Sequence, residues 1–158
     1  MSPEHWERVR EIYEAGIATG LATFQTSAPS WEEWNRSHLE HTRLVYMDGS
    51  SVLGWAALTP VSGRCVYAGV GEVSVYIAPE ARGRGLGKKL LEAMILESER
   101  NGLSTLQSGI FPGNEASVRL HLSCGFRIVG KRERIGRLHG TWMDTLLLER
   151  RSQKIGNP

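Results

Sequence analysis

A three-layer α+β fold is predicted, with a single mixed, mostly antiparallel sheet carrying helices on both faces, and three observations predict it. Two apolar strand-like runs, residues 44–46 and 52–58, flank Asp48-Gly49, a pair suited to a tight hairpin turn between antiparallel strands. A strand-forming run ending Val73-Ser74-Val75-Tyr76-Ile77 leads through a glycine-rich loop into a helical repeat. A further strand, a short helix and a terminal pair of strands complete the chain.

Each element follows from local chemistry. Ser2 caps a first helix that has Pro3 at its first position and Glu4 in its first turn, and Trp6, Val9, Ile12 and Tyr13 recur on one face to about Gly16. After residues 21–24 and a Ser27-Ala28-Pro29-Ser30 loop, Ser30 and Glu33 form a capping box for a second helix carrying Trp31 and Trp34, with His38 and Leu39 in its last turns. The hairpin comes next, then a long strand over residues 67–77, stopped by Ala78-Pro79-Glu80. Leu86, Leu90, Ala93, Met94 and Glu97 recur near helical spacing, with Leu91 and Ile95 beside them. Asn101-Gly102 closes this central helix, and residues 103–110 form the next strand. Asn114 caps a short helix ending at Cys124-Gly125, and residues 126–130 and 142–148 are the last two strands. One domain over residues 1–150 is expected, followed by a polar tail, residues 151–158, that frays.

At 158 residues the chain is long enough to bury roughly two-thirds of its unfolded surface in one core. Nineteen basic and seventeen acidic residues are interspersed and leave a formal charge of +2, so neither a nucleic-acid footprint nor a membrane-surface patch is present. Cys65 and Cys124 lack metal or redox spacing and are expected as buried free thiols in a reducing cytoplasm. With no apolar run of spanning length and no basic-then-apolar leader, a soluble cytoplasmic chain is expected, without metal.

The loop Arg82-Gly83-Arg84-Gly85-Leu86-Gly87-Lys88 carries the chemistry. Its glycines let backbone N–H groups converge on one point, where a helix N-terminus and the cations Arg82, Arg84 and Lys88 add to the attraction for an anion such as a diphosphate. A nucleotide-triphosphate loop is excluded, because Arg82 and Lys89 stand where Gly and Ser or Thr are needed. A dinucleotide fingerprint fits poorly, because the glycine spacing is wrong and no acidic residue ends a following strand.

The segment resembles the coenzyme A loop of the GNAT superfamily of N-acetyltransferases, Arg/Gln-x-x-Gly-x-Gly/Ala, at Arg82, Gly85 and Gly87. The run from Asn114 through Ser117 and His121 to Gly125-Phe126 is similar to the second cofactor segment of that superfamily. Three further motifs resemble its phosphinothricin and methionine sulfoximine acetyltransferase branch: Ala22-Thr23-Phe24 with Thr26 and Pro29, Gly71-Glu72 running into Val75-Tyr76-Ile77, and Gly136 through His139, Gly140 and Trp142 to Asp144. The resemblance implies the acyl-CoA N-acyltransferase fold, lacking the short strand with which that fold usually opens.

It also implies acetyl-CoA as co-substrate and direct attack by an amine in a ternary complex. Val75, Tyr76 and Ile77 would run beside the pantetheine, Arg82, Gly83, Arg84, Gly85, Leu86, Gly87 and Lys88 would hold the diphosphate, and Asn114 and Ser117 would complete the cofactor site. Glu72 and His139 are the candidate bases, and His121 the candidate acid for the departing thiolate. Phe24, Thr26 and Tyr67 are the candidate acceptor-site residues. A small glutamate-like amino acid, phosphinothricin or methionine sulfoximine or sulfone, is the acceptor the resemblance implies, although Ala68-Gly69-Val70 is uncharged where relatives often carry an arginine. A different small amine, or a non-catalytic acyl-CoA-binding role, is the alternative; Glu72 argues against the latter. A homodimer is expected from the resemblance and from five tryptophans available as interface anchors.

Overall fold

The computed structural model describes residues 1–156 and is a six-stranded sheet between two helical layers. After a 3-10 turn, Pro3–His5, the chain forms α1 (Trp6–Ala18) and α2 (Trp31–Ser37), then β1 (Arg43–Asp48) and β2 (Ser51–Pro60). A 3-10 turn, Cys65–Tyr67, leads to β3 (Val70–Ile77), and another, Pro79–Ala81, to α3 (Leu86–Arg100). The rest is β4 (Thr105–Ile110), α4 (Glu115–Ser123), β5 (Arg127–Leu138) and β6 (Thr141–Arg151).

The strand order is β1-β2-β3-β4-β6-β5, and only the central pair, β3 with β4, is parallel. That pair is short. Its ladder runs over Val70↔Thr105, Gly71↔Leu106 and Glu72↔Gln107 and stops there, although β3 continues to Ile77 and β4 to Ile110. Beyond Glu72 the two strands separate, and a cleft opens in the middle of the sheet.

Alternation along the strands divides the core. Ala56, Leu58 and Val73 face α3, whose Leu90, Leu91, Met94 and Ile95 cover that side together with Val118 and Leu120 of α4. Trp55, Ala57 and Tyr76 face the other way, against Val9 and Ile12 of α1 and Trp34 of α2. Because β2 is covered on both faces it reads as an unbroken apolar run rather than an alternating one. Leu91 and Met94 have no exposed surface, so truncating either to alanine is expected to cost about 3 kcal/mol.

Several sequence expectations change. Residues 67–69 are not strand: the chain turns through Cys65–Tyr67 and β3 starts at Val70. That turn leaves Cys65 exposed, and Cys124 is only half-buried, so the two thiols are not core residues. Residues Gly49 and Ser50 make the first hairpin turn, with Asp48 paired to Ser51. α2 ends at Ser37, and His38 is extended. β5 and β6 are longer than expected, because β5 is an edge strand exposed on most of its length and lacks an apolar alternation to extend. Ser152 is buried and its N–H donates to the Ser104 carbonyl at 2.8 Å, so the start of the tail is held rather than frayed. No strand precedes α1 among the described residues; the Met1 ammonium instead donates to the Arg43 carbonyl at the outer strand, at 3.0 Å.

Four of the five tryptophans sit inside one cluster. Trp34 and Trp55 are each 1% exposed and meet at 5.8 Å; Trp6 and Trp31 pack on Trp34. Only Trp142 stands on the surface, under the Arg137 guanidinium at 4.4 Å.

Candidate active site

The cleft encloses about 730 Å³, and its two ends differ chemically. At one end lies the loop into α3. Gly83 and Gly85 have φ of +75° and +76°, a conformation open to glycine without strain, and Gly85 is the N-cap of the helix. Gly87 lies so near α4 that a Cβ there would come within 3.2 Å of Leu120. Arg82, Gly83, Gly85, Leu86, Gly87 and Lys88 line the cleft. Arg84 turns away toward the first hairpin, 3.9 Å from the Asp48 carboxylate. The loop therefore offers converging amides, a helix N-terminus and two cations to a bound anion.

Along the cleft, Val75, Tyr76 and Ile77 form one bank and Asn114, Ser117 and His121 belong to the other. Asn114 is a helix cap: its Oδ1 accepts from the Ser117 N–H at 3.3 Å. Its side-chain amide donates to the Leu21 carbonyl at 3.2 Å, which ties the start of α4 to the loop after α1. One Asn114 function is thus settled by geometry, and its second amide hydrogen is what it can offer a ligand.

His121 is 3% exposed and lines the cleft. Nδ1 lies 2.7 Å from the Ser117 carbonyl, so Nδ1 carries the hydrogen and Nε2, which has no hydrogen-bond partner, holds the lone pair. Burial pulls its pKa down, opposed by the Ser117 carbonyl. A neutral ring in this tautomer accepts a proton at Nε2 and has none there to donate.

At the other end the strands fork at Glu72. Its Oε2 accepts from Gln107 Nε2 at 2.8 Å across the last rung of the ladder. The cleft lining also includes Tyr13, Thr23, Phe24, Tyr76 and Phe111, with Ser108 and the buried Thr145 on the far strands. Phe24 meets Phe111 edge-on at 4.9 Å, and Tyr13 meets Tyr76 at 4.9 Å. Burial raises the Tyr76 phenol far above its ordinary range. Among the described residues lining the cleft the only lysine or arginine side chains are Arg82 and Lys88, both at the loop end.

Besides Arg84, three sequence candidates lie outside the lining. His139 and Gly140 form the two-residue turn between β5 and β6, with φ of +47° and +79°, and His139 is exposed there. Tyr67 is exposed in its 3-10 turn beneath the Arg64 guanidinium at 5.6 Å, and Thr26 is exposed in the loop before α2. In exchange, Gln107, Ser108, Phe111 and Thr145 enter the site; only a β4 register could have revealed them, since nothing in their local spacing does. No cluster of metal-ligating side chains occurs among the described residues.

Comparison with known proteins agrees with this geometry. Residues 6–126 match the model of the Acetyltransferase (GNAT) family. A phosphinothricin N-acetyltransferase of Streptomyces coelicolor is 34% identical over 155 residues, covering 93% of this chain and 91% of the relative. An L-methionine sulfoximine/L-methionine sulfone acetyltransferase of Pseudomonas paraeruginosa is 37% identical over 110 residues, 67% of this chain and 62% of the relative. The solved structure of a GNAT superfamily phosphinothricin acetyltransferase from Sinorhizobium meliloti, in complex with acetyl-CoA, superposes with a TM-score of 0.87 at 27% identity, over 99% of this chain and 88% of that one. The forked sheet, the glycine loop opening α3 and a family match spanning most of the chain together make this protein a member of the GNAT acetyltransferase family.

Proposed function

We propose that the protein transfers the acetyl group of acetyl-CoA to the amino group of a small amino acid, by direct attack while both substrates are bound. The observation that carries the reading is the position of Glu72, a carboxylate at the fork of the sheet, at the far end of the cleft from the anion-binding loop. The diphosphate would sit on the amides of residues 83–88 with Arg82 and Lys88 beside it, and the pantetheine would pass along Val75, Tyr76 and Ile77 toward Glu72. Nucleophilic nitrogen needs a free lone pair, whereas amino-acid amines are mostly protonated at neutral pH. Glu72, oriented by Gln107, would take that proton directly or through one water. The nitrogen–carbon bond then forms, the carbon–sulfur bond breaks, and the second proton of the nitrogen passes to the departing sulfur directly or through water, so that coenzyme A leaves as the thiol. His121 in its neutral tautomer is better suited to accept a hydrogen bond from the bound substrates than to protonate that sulfur.

Two acceptors named for relatives differ in charge: the phosphinothricin side chain ends in an anionic phosphinate, and methionine sulfoximine or sulfone ends in a neutral group. The acceptor end holds a carboxylate and neutral side chains, with no lysine or arginine among the described lining residues, which favours the neutral acceptors. Steady-state turnover, followed by release of free thiol, tests this on a panel of phosphinothricin, methionine sulfoximine, methionine sulfone and simple amines. The expected order places the sulfoximine or sulfone at least about tenfold above phosphinothricin in kcat/KM; the reverse order overturns the charge argument, and no turnover with any amine overturns the acetyl-transfer reading.

A homodimer is proposed as well. Since most of the tryptophans are internal, its support is the exposed edge strand β5, with Ile128, Val129 and Ile135 and the neighbouring Trp142. Sedimentation at tens of micromolar showing only monomer overturns it.

A further inference from the structure

The late motif from Gly136 to Asp144 places His139 in a turn away from the cleft, yet two of its other members reach the acceptor end indirectly. The register of β5 against β6 breaks between Arg132↔Thr145 and Gly136↔Met143, so residues 133–135 of β5 stand opposite Asp144 alone. At the centre of this bulge Arg134 has φ +49°, a left-handed conformation that a residue with a side chain adopts only when held there. Asp144 holds it. Its Oδ1 accepts from the Arg134 backbone N–H at 2.8 Å, and its Oδ2 lies 3.7 Å from Lys131 Nζ on the same strand.

Two residues after Arg134, the chain meets Phe24. A Cβ on Gly136 would come within 2.9 Å of two ring carbons of Phe24, so the ring rests directly on the Gly136 backbone. The same ring meets Phe111 edge-on. Phe24 and Phe111 both line the cleft, and so does Thr145, the neighbour of Asp144, paired with the residue just before the bulge. Asp144 itself does not line the cleft.

We propose that Asp144 is a positioning residue for the acceptor site: by pinning the β5 bulge it sets the height of Gly136, and Gly136 sets where the Phe24 ring closes the wall around the amine. This inference rests on the acetyl-transfer reading of the same cleft. It assigns the Gly136 and Asp144 positions a role in substrate fit that the turn residue His139 does not share.

The test has two independent readouts. In kinetics, Asp144→Ala is expected to raise the Michaelis constant for the amine about tenfold, with kcat within about threefold and acetyl-CoA affinity by calorimetry unchanged. Asp144→Asn, which keeps an oxygen to accept from Arg134, is expected to stay within about threefold of the parent. Gly136→Ala should reproduce the Asp144→Ala effect by displacing the ring. In a Phe24→Ala background neither substitution should add further to the Michaelis constant. In solution NMR, the nuclear Overhauser contact between the Phe24 ring and the Gly136 α-protons should be present in the parent and in Asp144→Asn and lost in Asp144→Ala.

An unchanged Michaelis constant or an intact Phe24–Gly136 contact in Asp144→Ala overturns the proposal, as does an undiminished effect in the Phe24→Ala background. If Asp144→Ala does not fold, Gly136→Ala decides it by its Michaelis constant alone and in the Phe24→Ala background, an unchanged constant overturning the proposal. Absence of acetyl transfer by the parent protein would defeat the functional reading instead, while the NMR contact still tests the mechanical link.

Discussion

Gln107 donates to Glu72 at 2.8 Å across the last paired position of two parallel strands that then part. The bond fixes one oxygen of a carboxylate that lines the cleft. A side chain at the end of a ladder is held by backbone pairing on one side and open to ligand on the other, which suits a group that must receive a proton at a defined place.

Glu72→Gln retains the shape of the side chain without its basicity. Turnover at saturating amine should fall by about 10²-fold or more while acetyl-CoA affinity holds. Gln107→Ala should lower turnover less, and the double variant should be no worse than Glu72→Gln, because the role proposed for Gln107 is to orient Glu72. Near-parental turnover of Glu72→Gln from mildly acidic to mildly alkaline pH would remove Glu72 from the chemistry.

Gly85 combines a left-handed φ of +76° with the N-cap of α3. Gly85→Asp places a carboxylate against the proposed site of the diphosphate and strains the loop. Calorimetry should show a loss of acetyl-CoA affinity of about 2 kcal/mol or more. Unchanged affinity would mean that the diphosphate binds elsewhere.

His38 gives the stability a pH dependence with a definite sign. Burial lowers its pKa to about 4, opposed by the Trp34 carbonyl at 2.7 Å and assisted by the Arg43 charge. The folded value lies below the ordinary 6.5, so the unfolded chain binds the extra proton first as pH falls. The contribution is whole above about pH 6.5 and is lost on descent toward pH 4, with a slope approaching about 1.4 kcal/mol per pH unit. Urea unfolding between pH 6.5 and 5 should show this decline in the parent and a shallower one in His38→Phe, which keeps the stacking on Trp34; equal slopes would rule the histidine out as its source.

Glu99 is 8% exposed and binds three groups that anchor the end of β6: Arg150 at 3.2 Å, Ser152 at 3.0 Å and Lys154 at 3.2 Å. Burial alone would raise its pKa, and the hydrogen bonds from these partners outweigh burial and hold it below the ordinary value. Glu99→Ala should destabilise the fold by about 2 kcal/mol in denaturant titration, because it leaves the half-buried Arg150 without its partner. Amide exchange at Ser152 should quicken in the same variant; protection equal to the parent would show that the backbone bond to Ser104 suffices.

The strand, loop and helix at the centre of the fold were legible because their signals are local: β-branched residues, three glycines and a helical apolar repeat lie within about twenty-five positions. The fork was not, since it depends on where pairing between β3 and β4 stops, a relation between residues 35 positions apart. Gln107 enters the site by that register alone, and Thr145 by the placing of β6 beside β4. His139 misled by its chemistry; a histidine beside glycine before a paired strand is also what a two-residue turn with positive φ can accept. The tryptophans misled by number, because aromatic anchors for a partner and aromatic core read identically in a sequence.

The separation of β3 from β4 has a mechanical consequence. With only three rungs between them, the sheet is close to two three-stranded ribbons, β1-β2-β3 and β4-β6-β5, joined by a short seam and by the packing of α3 and α4 beneath it. A molecule lying along the gap acts as a strut between the ribbons, so occupancy should stiffen the whole domain and not only the side chains it touches. Catalytic geometry at the seam and resistance to unfolding then rise and fall together, and substitutions far from the cleft that loosen either ribbon are felt first as weaker grip on the ligand.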